Sequence, residues 1–372
     1  MKPPYYIGLM SGTSLDGIDG VIVTLGDNNT LELVTTHLEP LPPLLKSQVL
    51  NFCQTGVGSL DALGELDLTF AQLFVRTVKQ LLEKSVLLPS DIVAIGCSGQ
   101  TIRHQPNRAL PFTLQIGDAN YIAKNTGITV ISDFRRADIA LGGQGAPLVP
   151  KFHHWITPKA AHAQVVLNIG GIANITFIPP YHFGPVLGYD TGPGNALMDA
   201  WCEQHWGKPF DKNGAYAKKG TCNPELLQSL LSDPYFLQPA PKSTGKEKFH
   251  VAWLESHLNQ FGSLSPEDIQ TTLLELTAQS ICRAVMSHPD VGHLWICGGG
   301  AHNDTLIARI RALLPASIQL SKTEEFGLPA DWVEAACFAW LAKARLENMP
   351  ANLPSVTGAS QETTLGAIYS FL

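Results

Sequence analysis

The sequence predicts an α/β protein built from two weakly similar halves, each a mixed β-sheet with helices against it. Three observations point there. Apolar runs of strand length end repeatedly in glycine turns. Longer stretches carry apolar residues at helical spacing. The order strand, glycine turn, strand, third strand occurs near the start and again in the second half of the chain.

In the first half, Tyr5 to Met10 is an apolar run, and Ser11-Gly12-Thr13-Ser14-Leu15-Asp16-Gly17 is turn chemistry. Ile18 to Val23 resumes with alternation of apolar and small residues, and Thr30 to His37 reads as a third strand. Leu60 to Lys84 carries Leu63, Leu66, Leu68, Phe70, Leu73, Phe74, Val78, Leu81 and Leu82 at helical spacing. Ile92 to Ile95 is a short buried strand ending in Gly96-Cys97-Ser98-Gly99, and Gly127 to Ser132 is another strand. The connector Leu141 to Pro147 carries Gly142, Gly143 and Gly145, and reads either as a hinge or as a rigid turn. In the second half, Val165 to Ile169 is a strand, Gly170-Gly171 a turn and Ala173 to Ile178 a second strand. Val186 to Asp190 is the third and leads through Thr191-Gly192-Pro193-Gly194-Asn195 into a helix over 196–206. Further elements are a helix over 265–287, a strand over 293–297, Gly298-Gly299-Gly300, a helix over 303–313 and a short strand over 318–320. A last helix over 331–347 has Asp331 as its N-cap. A cleft between the halves is the natural place for a ligand.

Composition narrows the function classes. With 372 residues, 45% hydrophobic and 15% charged, the chain has ample material for a core, which excludes intrinsic disorder. A net charge of −7 and the lack of any Lys/Arg-rich run argue against nucleic acid as a partner. The seven cysteines include no Cys-x-x-Cys pair, so they read as free thiols of a reducing compartment. No signal-peptide pattern and no apolar run of membrane-spanning length is visible, so the expectation is a cytoplasmic protein without membrane partners. His153-His154 reads as a surface pair without metal-ligand spacing.

The chemistry concentrates in the glycine turns at strand ends: 12–14, 170–171, 192–194 and 298–300. Glycine lets consecutive backbone N–H groups converge on an anion, and a following helix N-terminus adds its dipole. Each turn alone is weak, since hairpins and bulges use glycine too; together, at strand ends of a duplicated architecture, they point to phosphate. No G-x-x-x-x-G-K-[ST] is present, which excludes a P-loop nucleotidase. Gly298-Gly299-Gly300 between a strand and a helix leaves a dinucleotide-binding reading open.

These segments resemble the phosphate and adenosine elements of actin-like ATPases, and the resemblance narrows further. Ile7 to Asp19, Gly99-Gln100-Thr101-Ile102-Arg103-His104, Asp133-Phe134-Arg135-Arg136, Gly142 to Pro150, Asn168 to Asn174, Asp190 to Asn195, Pro241-Lys242-Ser243-Thr244-Gly245 and Cys297 to Ala301 are similar to motifs of the anhydro-N-acetylmuramic acid kinase family, in order along the chain. The resemblance implies two actin-like (ribonuclease-H-like) domains around a cleft. It places domain I over residues 1–134 with a C-terminal segment of about 355–372, and domain II over 135–354. It implies ATP and Mg²⁺ as cofactors, a small anhydrosugar substrate and a homodimer. The implied reaction phosphorylates 1,6-anhydro-N-acetylmuramic acid while hydrolysing its anhydro bridge, a step of peptidoglycan recycling. A levoglucosan-type kinase and a non-sugar actin-fold ATPase are the alternatives.

That chemistry constrains the residues. O6 of the sugar is locked in the bridge and carries no proton, so water attacks C1, the bridge opens and O6 takes the phosphoryl group. One carboxylate suffices as general base on the water, and attack from one face inverts C1. Asp190 is the candidate base: it ends a strand at the cleft rim and matches the family's catalytic aspartate. A turn aspartate is the alternative. Gly12, Thr13, Ser14, Leu15, Asp16, Gly17, Ile18 and Asp19 form the first phosphate-binding stretch, with Asp16 and Asp19 able to meet Mg²⁺ through water. Gly170, Gly171, Gly298, Gly299 and Gly300 are the further nucleotide-binding positions. Arg135 and Arg136 suit a carboxylate such as the lactyl group. Gln100, His104 and Glu334 are the remaining sugar-side candidates. Lys242 to Gly245 reads either as a mobile loop or as a set of turns.

Overall fold

Strand β1 (Tyr5–Ser11) buries Tyr6, Ile7 and Leu9 and returns antiparallel as β2 (Gly17–Leu25), with Ser11 opposite Ile18. β3 (Leu31–Pro40) pairs antiparallel with β2 and exposes Glu32, Val34, Leu38 and Pro40, as a strand at the sheet's edge does. On the other side of β1 lies β4 (Ile92–Gln105), parallel to it. β4 also takes β5 (Phe112–Ile116) antiparallel along its second half and β6 (Val130–Ser132) parallel along its first. The strand Ala367–Tyr369 completes this seven-stranded sheet by pairing antiparallel with β6. This computed structural model describes residues 4–12, 15–26, 29–245 and 247–372.

Two helices cover that sheet. Leu60–Ser85 is started by Ser59, whose hydroxyl accepts the Ala62 N–H at 3.1 Å, and it buries Leu66, Phe70, Leu73, Phe74, Val78 and Leu81, while Leu68 faces outward. Val333–Leu346 arrives from far along the chain and packs on β1 and β4. Its contact is made backbone to backbone. A Cβ on Gly8 would lie 1.8 Å from the Ala335 carbonyl oxygen, and one on Gly96 would lie 1.9 Å from that of Phe338. Only glycine permits this approach.

That packing decides the domain limits. One compact unit runs up to Thr157 and includes Trp332–Leu372; the other is Pro158–Asp331. The divide expected at 134/135 therefore falls inside the first unit, and the chain returns to it at Trp332 rather than near 355. The glycine connector lies within that unit too, and Asp138 holds it: the buried carboxylate accepts the Gly145 N–H at 2.7 Å, the Thr357 hydroxyl at 2.7 Å and the Asn352 amide at 2.8 Å. The connector is thus a fixed turn rather than a hinge.

The second unit repeats the topology. β7 (Ala163–Ile169), β8 (Ile172–Ile178) and β9 (Leu187–Pro193) form an antiparallel meander. β10 (Val291–Cys297) lies parallel to β7, and β11 (Gln319–Lys322) parallel to β10. The order β11-β10-β7-β8-β9 matches β6-β4-β1-β2-β3 of the first unit. The long helix Pro266–Met286, capped by the Ser265 hydroxyl, covers β8 and β9.

Three readings change. Asp331 is not an N-cap: Trp332 occupies that position, and Asp331 instead faces His302 at 2.9 Å. His153 is buried at 3% exposure, because the helix Val149–Ile156 turns that side inward beside Phe152. Helices Pro43–Thr55, Ala119–Thr126 and Pro224–Leu231 are additional to those expected; two of them begin at a proline that reads equally as a turn. The two-unit α/β architecture itself stands as expected. No helix among the described residues is long and apolar enough to cross a membrane.

Candidate active site

In the second unit, Asp190 sits where β9 leaves regular pairing. Asn174 opposes Asp190 and Ala173 opposes Gly192, so Thr191 is the extra residue of a bulge, its hydroxyl donating to the Ala173 carbonyl at 3.2 Å. The segment 235–244 takes up the Asp190 backbone: its N–H donates to the Lys242 carbonyl at 3.0 Å, and its carbonyl accepts the Tyr235 hydroxyl at 2.7 Å. The same segment reaches the carboxylate. Oδ2 accepts the Thr244 N–H at 2.9 Å and the Ser243 hydroxyl at 3.2 Å. Oδ1 accepts no hydrogen bond among the described residues. Burial pushes the Asp190 carboxyl above the ordinary aspartate value, and these two hydrogen bonds oppose that shift. Asp190 is therefore a partly buried carboxylate with one oxygen fixed and the other open.

Three of the glycine segments come together in this unit. The Gly170 and Gly171 carbonyls accept the N–H groups of Asn195 at 2.8 Å, and of Gly194 and Ala196 at 2.9 and 3.0 Å. A Cβ on Gly194 would stand 2.3 Å from the Gly170 oxygen, so the turn before the helix Ala196–Trp206 closes only on a glycine. Parallel pairing of Cys297 with Asn168 brings Gly298 beside the end of β7, and the Gly298 N–H is occupied by the Ala330 carbonyl at 3.0 Å.

In the first unit, the β1–β2 turn contains Gly12, Leu15 and Asp16; Thr13 and Ser14 lie outside the described residues. Leu15 takes a positive φ of 57° and buries its side chain, and Ile18 is buried too. Both have only backbone to offer a phosphate. Ser11, expected only as part of the turn, ties it to β4: its N–H donates to Ser98 Oγ at 3.1 Å, and its hydroxyl to Gln100 Oε1 at 2.6 Å. Gln100 is buried in this contact at 1% exposure. The exposed Asp16 carboxylate already holds a cation, the Lys46 ammonium at 3.1 Å, and Asp19 lies on β2 opposite Met10, one residue past the Ile18–Ser11 pair.

The sugar-side candidates separate. His104 Nδ1 lies 3.1 Å from the Thr113 hydroxyl; burial and the Arg135 charge lower its pKa. Arg135 donates to the Gly145 carbonyl at 2.9 Å and faces Glu334, whose carboxyl is raised by burial against the pull of Arg135. Arg136 turns instead to Asp133 at 3.4 Å, on the wall of a polar cavity of about 180 Å³ shared with Asp67, Gln115 and Tyr369. The two arginines therefore do not share one acceptor among the described residues. Tyr235, Ser243 and Thr244 are site residues without a role in the sequence reading; the Pro241 to Gly245 motif was the signal that could have led to them.

The family model for anhydro-N-acetylmuramic acid kinase matches residues 4–371. The chain is 52% identical over 368 residues to the anhydro-N-acetylmuramic acid kinase of Pasteurella multocida, covering 98% of this chain and 96% of that one. It is 50% identical over 369 residues to the kinase of the same name from Shewanella halifaxensis, covering 99% of each. Matched by the family model over residues 4–371 and by these relatives over nearly its whole length, the chain belongs to the anhydro-N-acetylmuramic acid kinase family.

Proposed function

We propose that this chain transfers the γ-phosphoryl group of ATP to O6 of 1,6-anhydro-N-acetylmuramic acid as water opens the anhydro bridge, giving N-acetylmuramic acid 6-phosphate and ADP. Family membership supports the kinase activity and the sugar substrate. The observation that carries the mechanism is the open Oδ1 of Asp190. That oxygen takes a proton from water; the water oxygen bonds to C1, the C1–O6 bond breaks and O6 receives the phosphoryl group. Oδ2 stays on the 243–244 turn, so the carboxylate does not rotate away.

Residues Gly12, Thr13, Ser14, Leu15, Asp16, Gly17, Ile18 and Asp19 in the first unit, and Gly170, Gly171 and Gly299–Gly300 in the second, are our candidates for the nucleotide phosphates; the Leu15 N–H is already donated to the Gly12 carbonyl at 3.2 Å. Gly298 contributes close packing rather than a free N–H. Asp16, whose exposed carboxylate attracts the Lys46 ammonium, and Asp19 are the residues that would hold Mg²⁺ through water. When bound, Mg²⁺ neutralises charge on the β- and γ-phosphates. Arg135, Arg136, Gln100, His104 and Glu334 remain our sugar-side candidates. The same reading carries a cytoplasmic homodimer, measurable by sedimentation.

The test is incubation with ATP and the anhydrosugar in ¹⁸O-water. The expected product is a 6-phosphosugar labelled at C1 with inverted configuration. Label absent from C1, or ATP hydrolysis without sugar phosphate, overturns the reading.

A further inference from the structure

The chain leaves β9 at Asp190 and comes back to it fifty residues later, and what it brings back is a turn with donors on one side. Thr244 gives a backbone N–H to Oδ2 at 2.9 Å and Ser243 a hydroxyl to the same atom at 3.2 Å. The turn is itself held in place. Lys242 lends its carbonyl to the Asp190 N–H, and its ammonium lies 3.0 Å from the Tyr235 carbonyl and 4.6 Å above the Tyr235 ring. Tyr235 closes the circuit by donating to the Asp190 carbonyl. Side chain and backbone of one residue are thus gripped by a single segment.

We infer that Ser243 and Thr244 are positioning residues for the reaction: by occupying Oδ2 of Asp190 they reserve Oδ1 for the proton of the attacking water. The inference rests on Asp190 being the base. A free carboxylate presents two equivalent oxygens and rotates between them; this one presents a single oxygen in a fixed direction, as general-base catalysis requires. Lys242 spends its ammonium on Tyr235, so among the described residues no ammonium pairs with Oδ1.

The electrostatic surroundings give the inference a direction that can be measured. The charged and titratable groups around Asp190 are Glu247 and Lys242 on the loop, Tyr235 and Tyr189 beside them, and the Asp233–Lys248 pair at 2.9 Å. Burial raises Tyr235 far above its ordinary value, so it remains a neutral donor. The Ser243 and Thr244 hydrogen bonds favour the ionised form of Asp190, while Glu247 disfavours it. Removing Ser243's hydroxyl and removing Glu247's charge must then act in opposite directions on the pH at which the base becomes available.

The experiment measures kcat/KM against pH for ADP release with ATP and the anhydrosugar, using full-length Ser243→Ala, Ser243→Thr, Glu247→Gln and Asp190→Asn. Ser243→Ala is expected to move the acid limb up by about half a pH unit and to lower kcat several-fold with little change in KM. Ser243→Thr restores the profile, and Glu247→Gln moves the limb down. Ser243 and Glu247 are both exposed, so these changes spare the core. Limbs displaced in opposite directions support the inference; superimposable limbs, or limbs displaced in the same direction, overturn it while leaving the base assignment intact if Asp190→Asn is inactive. Near-normal turnover by Asp190→Asn overturns both.

Discussion

Asp138 in the first unit and Asp190 in the second are both aspartates held by a glycine-bearing turn, yet they are engaged differently. Asp138 is fully buried, and both of its oxygens are taken, Oδ2 by the Gly145 N–H and Oδ1 by Asn352 and Thr357. Asp190 is partly buried, and among the described residues only its Oδ2 is taken. The difference teaches how to separate a carboxylate that builds a fold from one set up for chemistry. The first has its acceptor capacity filled by donors that need it. The second retains an oxygen with no competing donor, in surroundings that weaken its hold on charge.

The sharpest way to break the comparison is Asp190→Asn. A positioned base lost in this way lowers turnover by about 10²–10⁴-fold, with nucleotide affinity unchanged. The sign for stability is the reverse of the usual aspartate. Its folded pKa is raised by burial, so its contribution to stability is full below the unfolded value and is lost as pH rises through the folded one. At pH 7 the ionised group therefore opposes folding, and the melting temperature of Asp190→Asn should equal or exceed that of the parent. A fall in melting temperature and nucleotide affinity together would class Asp190 with Asp138.

Asp138→Ala sharpens the contrast from the other side. It strands the Gly145, Asn352 and Thr357 donors, and stability should fall by about 3 kcal/mol in urea unfolding. Turnover per folded molecule should stay within a few-fold of the parent. An unchanged unfolding midpoint would show that the connector does not depend on this carboxylate. The smallest effect concerns His153, which burial pushes down to about 3. A depressed histidine contributes stability above its unfolded value and loses it as pH falls, so stability should decline progressively below about pH 6.5. His153→Phe should flatten that decline in melting temperatures taken from pH 7 to pH 4; an unchanged slope would assign the acid sensitivity to other groups.

The legible parts of the site were those whose chemistry is written locally. A glycine at a strand end is visible because only a handful of residues tolerate close backbone approach, and the position of Asp190 at the end of the third strand of the repeat followed from the same pattern. The Ser11–Gln100 contact was not legible, because it joins two strands that pair in parallel across a long crossover. Nor was the separation of Arg135 from Arg136: adjacent residues leaving a strand point in different directions, and which guanidinium meets Glu334 depends on a helix that returns from residue 333.

By itself, the amino-acid sequence determined the duplicated strand order, the amphipathic helix over 60–85, the glycine turns and the family, since each depends on residue type and short-range spacing. The domain limits, the fixed character of the 141–147 connector and the asymmetric hold on Asp190 were decided only by tertiary structure. Each arises where segments far apart in sequence meet backbone to backbone or donor to acceptor: Gly8 and Gly96 against the helix Val333–Leu346, Asp138 against Asn352 and Thr357, and Ser243 and Thr244 against one oxygen of Asp190. A hydrogen bond depends on angstroms and angles between its partners, and no local pattern of residues encodes those for groups that the chain brings together only after it has folded.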